Sequence, residues 1–197
     1  KSNLFSINLE RFSDLITVIG FVLTKPAIRK ILRNQDEYFK YLYGKYTLYF
    51  DYYVPELKSA SKLLPSEQEM LDAMIYVAHN YPKVYPVAEL LQNKTNQMTC
   101  YSLNKLTLLP DGKEVKCRYL VYEESDFETT PIDYSTNEFI IESHLKRHDC
   151  FNCSWFERCQ FRCFVQADWK DLERLEDCMF RMFFEEMSQE GLLLNEQ

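Results

Sequence analysis

The first sixty residues alternate between strand-like and helical patterns. Residues 17–25 (TVIGFVLTK) form an apolar, β-branched run that is typical of a parallel strand buried on both faces. Pro26, a residue tolerated in a first helical turn, opens a helix that we expect to reach about Tyr43 and to stop at Gly44. A second β-prone segment covers residues 46–54. This order predicts a βαβ unit with a parallel sheet, and two strands need further strands for stability.

The middle of the chain predicts two helices and carries no candidate chemistry. Ser66 is a favourable N-cap, and Glu67 and Glu69 follow in the first turn, where negative charge suits the helix dipole. An apolar stripe continues this helix to about Tyr81. A shorter helix is expected over Val87–Leu91.

The second half predicts a hairpin and a final helix. Residues 103–109 and 115–121 are strand-like and flank Pro-Asp-Gly-Lys, a strong turn signal. Residues 169–191 predict a helix with one apolar face. Its inward positions are Leu172, Leu175, Met179, Phe183 and Met187.

Composition and charge exclude several classes of protein. The chain has 197 residues, is 46% hydrophobic and carries a net charge of −7, which disfavours nucleic acid as the main partner. Glu10, Arg11 and Asp14 interrupt the place where a signal peptide needs an apolar run. The longest apolar stretch, residues 15–23, is too short to span a bilayer. We therefore expect a cytoplasmic protein with no nucleic-acid or membrane partner.

Seven cysteines are the chain's most informative feature. Two of them bracket the hairpin as C-x11-G-x4-C, four follow within fourteen residues as C-x2-C-x5-C-x3-C, and one lies on the final helix. In order they are Cys100, Cys117, Cys150, Cys153, Cys159, Cys163 and Cys178. A full disulfide framework is disfavoured, because the number is odd and a reducing compartment keeps thiols reduced.

Zinc and iron–sulfur chemistry both remain open on these residues. A structural zinc ion takes four ligands, so seven cysteines make one site and leave three, which His144 or His148 would have to complete. A [4Fe–4S] cluster tolerates a three-cysteine site, since one iron corner can be left to another ligand. The ligand count therefore favours iron–sulfur clusters over zinc.

The cysteine spacing closely resembles the SPASM domain, the auxiliary-cluster domain that ends many radical SAM enzymes. That family's pattern is C-x9-15-G-x4-C, a gap, C-x2-C-x5-C-x3-C, a gap and a last cysteine, and all seven cysteines and Gly112 match it in order. The resemblance implies an α/β fold, with the last βα units of a partial (β/α) radical SAM barrel over residues 1–64. Linking helices over 65–95 and a small α+β SPASM domain over 96–197, with a β-hairpin and a C-terminal helix, would follow.

The resemblance also implies how the ligands divide. One auxiliary [4Fe–4S] cluster would bind three cysteines, namely Cys100, Cys117 and Cys163. A second would bind Cys150, Cys153, Cys159 and Cys178. With so little glycine in residues 150–163, we expect metal ligation, not turns, to hold this loop. Five aromatic residues nearby are expected to form a dry shell (Phe151, Trp155, Phe156, Phe161 and Phe164), and Arg158 and Arg162 are candidates to offset thiolate charge.

The activity implied is radical modification of a peptide or protein substrate, of the ribosomal-peptide or sulfatase maturation type. The complete enzyme would use S-adenosylmethionine and a third [4Fe–4S] cluster bound by C-x3-C-x2-C, a motif that this sequence lacks. We therefore expect no catalytic residue here, and a missing N-terminal barrel half on the same or another chain. Asp51 and Glu56 lie where barrel loops carry chemistry, although a plain loop role is favoured. The alternatives are a zinc-stabilised interaction module and a separate iron–sulfur electron-transfer subunit.

Overall fold

The computed structural model describes residues 8–16, 18–55, 58–92, 107–108, 112, 114–115, 145–146, 148–159, 166 and 172–193. The observations below concern these residues. They include four of the seven cysteines. Cys100, Cys117 and Cys163 lie outside the described residues, and so do most of the predicted hairpin strands.

The predicted βαβ unit is confirmed. Strand β1 covers Val18–Leu23 and strand β2 covers Thr47–Tyr52, and they pair in parallel with Val18 opposite Thr47 and Leu23 opposite Tyr52. The connection is helical. Pro26 lies in the first turn of that connection, as its fixed backbone angle and missing N–H predict.

The single long helix expected between the strands is wrong. Helix α1 covers Lys25–Leu32 and helix α2 covers Glu37–Lys45. Asn34 lies between them with φ of 55°, a left-handed conformation that breaks a helix and that asparagine tolerates better than most residues. Asp36 then caps α2, because its carboxylate accepts the Phe39 N–H at 2.8 Å. Gly44 lies within α2 and does not stop it.

Strand β1 is buried on one face only in the described residues, so its burial on both faces stays a prediction. Alternate residues of β1 and β2 face the helices. The side chains of Phe21 and Phe50 pack there against Phe39, with ring centroids 5.2 and 5.9 Å from the Phe39 ring. The opposite face is open among the described residues, with Val18 55% and Val22 46% exposed. In the described part of the chain, helices therefore cover one side of the sheet only.

The two outer edges of this sheet differ. Tyr85 adds a one-residue parallel bridge beside β2: its N–H donates to the Leu48 carbonyl at 2.9 Å and its carbonyl accepts the Phe50 N–H at 2.7 Å. On the side of β1 away from β2, the described residues include no further strand. The described residues thus leave the outer edge of β1 without a neighbouring strand, and a sheet can extend from such an edge.

The helix predicted from Ser66 is confirmed as α3, Glu67–Asn80. Ser66 Oγ accepts the Glu69 N–H at 3.1 Å, and the Glu69 carboxylate accepts the Ser66 N–H at 3.0 Å, which completes a capping box. The same carboxylate pairs with Arg29 of α1 at 2.9 Å, which joins the two helices. The short helix α4 covers Val87–Leu91, as expected.

The hairpin is confirmed in position, and most residues of its predicted strands lie outside the described residues. The final helix is confirmed in position but not in length. Strands β3 (Thr107–Leu108) and β4 (Glu114–Val115) pair antiparallel, and Gly112 has φ of 82° in the turn between them. The final helix α5 covers only Met179–Gln189, so its predicted start ten residues earlier is wrong. Residues 172–178 are not helical, and Cys178 is the N-cap of α5.

One buried cluster contains residues from the βαβ unit, from the middle helices and from the final helix. Phe39, Met70 and Phe183 belong to it and are all essentially inaccessible. Further ties are polar: the Glu67 carboxylate accepts the Leu175 N–H at 2.7 Å, and the amide of fully buried Gln166 donates to the Tyr53 carbonyl at 3.0 Å. The cysteine-bearing part is therefore anchored on the βαβ part.

Candidate metal centre

Four cysteines line one cavity. Cys150, Cys153 and Cys159 come from one loop and Cys178 from the start of α5, and all four are thiols. They are the four that the resemblance assigns to the second auxiliary cluster. The cavity volume is about 90 Å³. A cavity accommodates one water molecule at about 10–15 Å³, so this space suits a group of several atoms.

Turns organise the cysteine loop, contrary to the expectation that only metal ligation would. Residues Cys150–Asn152 form a 3-10 turn, and the Cys153 N–H donates to the Cys150 carbonyl at 3.1 Å. Asp149 starts this turn with φ of 51°, and its carboxylate accepts the Asn152 side-chain amide at 2.7 Å. An Asp side chain that bonds locally replaces the glycine that such a turn usually needs.

The second half of the loop packs on α5. The Cys159 N–H donates to the Trp155 carbonyl at 2.9 Å, and Cys159 is 8% exposed. The Trp155 and Phe184 rings stack with centroids 5.3 Å apart and planes inclined by 19°. This contact brings the loop beside Cys178, which is separated from Cys159 by eighteen intervening residues in the sequence.

The start of α5 completes the cavity wall. Cys178 is exposed, and the cavity is also lined by Phe180 and Arg181 of the first turn. Arg181 forms ion pairs with Asp177 and, at 3.9 Å, with Glu185. No acidic residue lies in the first turn of α5, and no side chain caps its N–H groups. The partial positive charge of the helix start therefore lies at the wall that carries Cys178.

The aromatic shell is only partly as predicted. Phe151 is 55% exposed, so its burial is wrong. Trp155 and Phe156 are half-buried and line the cavity. Phe161 and Phe164 lie outside the described residues.

The two arginines singled out from the sequence have different outcomes. Arg158 is not among the residues that line the cavity, and its guanidinium donates to the Leu91 carbonyl at 3.5 Å. Arg162 lies outside the described residues. Among the described residues, the arginine that lines the cavity is Arg181, which sequence reasoning missed. Its position three residues after Cys178, one helical turn along, was the available signal.

Of the other candidate groups, Asp51 lies apart from the cavity. Asp51 is exposed on the face of the sheet that no described helix covers, and Glu56 lies outside the described residues. His148 lines the cavity, whereas His144 lies outside the described residues.

The donor set suits a soft metal group. Thiolates favour zinc and iron–sulfur clusters over hard cations such as Mg²⁺. Within the described parts of the chain, no three His, Cys, Asp or Glu side chains form a group that could hold a metal ion directly. The four thiols instead surround a space. A group that extends across the cavity would be bordered by all four thiols, three of which are at least partly accessible.

Comparison of the chain with protein-family models, with curated proteins and with solved structures finds no match. Among the described residues, no helix is both long and apolar enough to cross a bilayer.

Proposed function

We propose that this chain is the auxiliary-cluster region of a radical SAM enzyme that modifies a peptide or protein. The observation that carries the proposal is the cavity lined by Cys150, Cys153, Cys159 and Cys178. The resemblance implies that these four share one cluster, and it assigns Cys163, which lies outside the described residues, to the other. Their common cavity supports that grouping.

The residues of this chain would bind and position, and would not cleave S-adenosylmethionine. The four cysteines would ligate the second [4Fe–4S] cluster, and Cys100, Cys117 and Cys163 would ligate the first. Bound clusters supply one-electron transfer, and an iron corner without a cysteine can bind substrate. Trp155 and Phe156 would exclude water from one wall, which affects the reduction potential.

The open side of the sheet supports a barrel origin for the first segment. In a (β/α) barrel, helices cover the outer face of each strand and the inner face is covered by the other strands. β1 and β2 have helices on one face, exposed Val18 and Val22 on the other, and an extendable edge at β1. We propose that an N-terminal barrel half, on the same or another chain, covers this face and binds S-adenosylmethionine and the third cluster.

Two alternatives are separated by metal content and association. A zinc-stabilised interaction module would hold zinc without sulfide. An independent electron-transfer subunit would hold clusters but would copurify with a separate chain that bears C-x3-C-x2-C. A cytoplasmic location is part of the proposal, because reducing compartments keep thiols available as ligands.

The deciding experiment is anaerobic purification with iron, acid-labile sulfide and zinc assays. We expect a brown protein with iron and sulfide in equal amounts. A colourless protein with stoichiometric zinc and no sulfide would refute the proposal and favour the zinc module.

A further inference from the structure

Arg181 is a cation held beside the thiol-lined cavity by two acids. Its side chain lines the cavity and is 42% exposed. Asp177, one residue before Cys178, pairs with its guanidinium, and Glu185 approaches the Nε atom at 3.9 Å from the next turn of α5. This two-sided pairing restrains the guanidinium at the cavity wall.

The backbone of α5 adds positive potential at the same wall. A helix start carries the equivalent of about half a positive charge, from N–H groups that have no partner within the helix. Here the N-cap is Cys178, no side chain caps the first turn, and that turn holds no acid. Arg181 and the helix start therefore act in the same direction on any negative charge among the four thiols.

We propose that Arg181, together with the first turn of α5, raises the reduction potential of the group held by Cys150, Cys153, Cys159 and Cys178. The inference rests on the proposed function. Four thiolates already make the site negative, and the addition of one electron increases that charge. A nearby cation stabilises the reduced form more than the oxidised form, because the attraction grows with the charge. The electron comes from an external one-electron donor, and no proton needs to move.

Asp177 has the opposite effect in this arrangement. Its carboxylate lies next in sequence to Cys178 and partly neutralises Arg181. Loss of that negative charge strengthens the net positive potential at the cavity. Removal of the charge of Arg181 and removal of the charge of Asp177 should therefore shift the reduction potential in opposite directions. A nonspecific change of packing gives no reason for opposite signs.

The test is an anaerobic redox titration of the full-length protein with dithionite, followed by electron paramagnetic resonance. The signal of the second cluster is the one altered in Cys178→Ala. For Arg181→Gln we expect the equilibrium constant for reduction of that signal to fall about tenfold, about 59 mV for a one-electron couple. Arg181→Lys should stay close to wild type, because it keeps the charge, and Asp177→Asn should shift in the opposite direction.

The control is Arg33→Gln, an exposed residue at the end of α1 that changes net charge equally but is absent from the cavity wall. If Arg181→Gln and Arg33→Gln give the same potential in an iron-loaded protein, this inference is wrong while the proposed function stands. If Arg181→Gln loses the cluster, the Asp177→Asn shift decides: a more positive potential supports the inference, and an unchanged or lower one overturns it. A wild-type protein without iron and sulfide overturns both proposals.

Discussion

The rings of Trp155 and Phe184 stack 5.3 Å apart, nearly parallel, and this contact joins the cysteine loop to the final helix. Phe184 is completely buried and Trp155 is half-buried. An aromatic pair of this kind contributes about 0.5–1.5 kcal/mol beyond the area that it buries. The stack therefore helps to hold Cys178 beside the three cysteines of the loop.

Replacement of Trp155 should test that role. We expect Trp155→Ala to lower the free energy of unfolding by about 3 kcal/mol, the lower end of the range for large aromatic residues in cores, since Trp155 is only half-buried. Urea titration followed by circular dichroism measures the loss. Phe151→Ala removes a mostly exposed aromatic residue of the same loop and should cost far less. Equal losses in the two variants would contradict the structural role of the stack.

Metal content is the second prediction. Two four-iron clusters correspond to about eight iron and eight sulfide per chain of this sequence, in addition to any cluster bound elsewhere in a longer protein. Chemical assay of anaerobically prepared protein gives both numbers. A ratio of one zinc per chain without sulfide would exclude the iron–sulfur assignment.

The third prediction concerns the ligands of the second cluster. Cys153→Ala and Cys159→Ala should each reduce the iron of this region by about half, from eight to about four per chain, because one of two clusters is lost. Ser154→Ala is the matched control, since Ser154 is exposed and lies between these cysteines.

The loss of iron should also destabilise the loop, because ligation and folding of a metal site are coupled. Amide hydrogen exchange should increase across residues 150–178 in both cysteine variants. Full iron content with native stability in either variant would show that the outer site is wrongly assigned.

The capping box of α3 is the basis of the fourth prediction. Ser66→Ala removes the acceptor for the Glu69 N–H and should cost about 1 kcal/mol, the usual value for an N-cap serine. Chemical denaturation measures the change. Ser188→Ala, an exposed serine within α5, should change the free energy of unfolding by much less. Similar values for the two variants would mean that the cap contributes nothing to stability.

The fifth prediction concerns stability at alkaline pH. Burial raises the pKa of Tyr81 above its ordinary value of 10.0, and its ring contacts Phe39 and Tyr43 edge-on at 5.1 and 5.0 Å. Because the folded-state pKa lies above the unfolded one, the contribution to stability is complete below pH 10 and is lost as the pH rises through the folded-state pKa.

In Tyr81→Phe, the free energy of unfolding should therefore fall less steeply above pH 10 than in the wild type. Below that pH, the two proteins should differ only by a constant amount. Unfolding free energies measured from pH 8 to 11.5 test this. Tyr38→Phe, at an exposed position of α2, serves as the control for loss of a hydroxyl. An alkaline fall that is identical in wild type and Tyr81→Phe would refute the role of Tyr81.

Several elements follow from local sequence alone. β1, β2, the helix from Ser66 and the helix Val87–Leu91 appear where apolar periodicity and capping residues predict them. The helix from Ser66 depends on interactions within a few residues, such as the Ser66 and Glu69 pair, whereas the local pattern marks only the positions of β1 and β2 and their pairing joins distant residues. The turn at Gly112 belongs to the same group, since its φ of 82° is one that glycine adopts without strain.

Other features depend on tertiary packing. The start of α5 at Met179 instead of ten residues earlier was not visible in the periodicity, because the apolar positions continue through Leu172 and Leu175. The break at Asn34, by contrast, lies in the polar residues 33–37, where the capping Asp36 was the available local signal. Likewise, the apolar residues of β1 predict burial but cannot tell which face the helices cover.

For the candidate site as well, some features follow from the sequence and others from tertiary packing. The sequence supplied seven cysteines, and the resemblance carried by their spacing implied which four thiols to group. Only the tertiary structure brought Cys178 to the loop through the stack of Trp155 on Phe184, and placed Arg181 instead of Arg158 at the cavity. The reason is physical: which side chains meet across a long stretch of chain depends on how helices and loops pack, and local pattern carries no record of that packing.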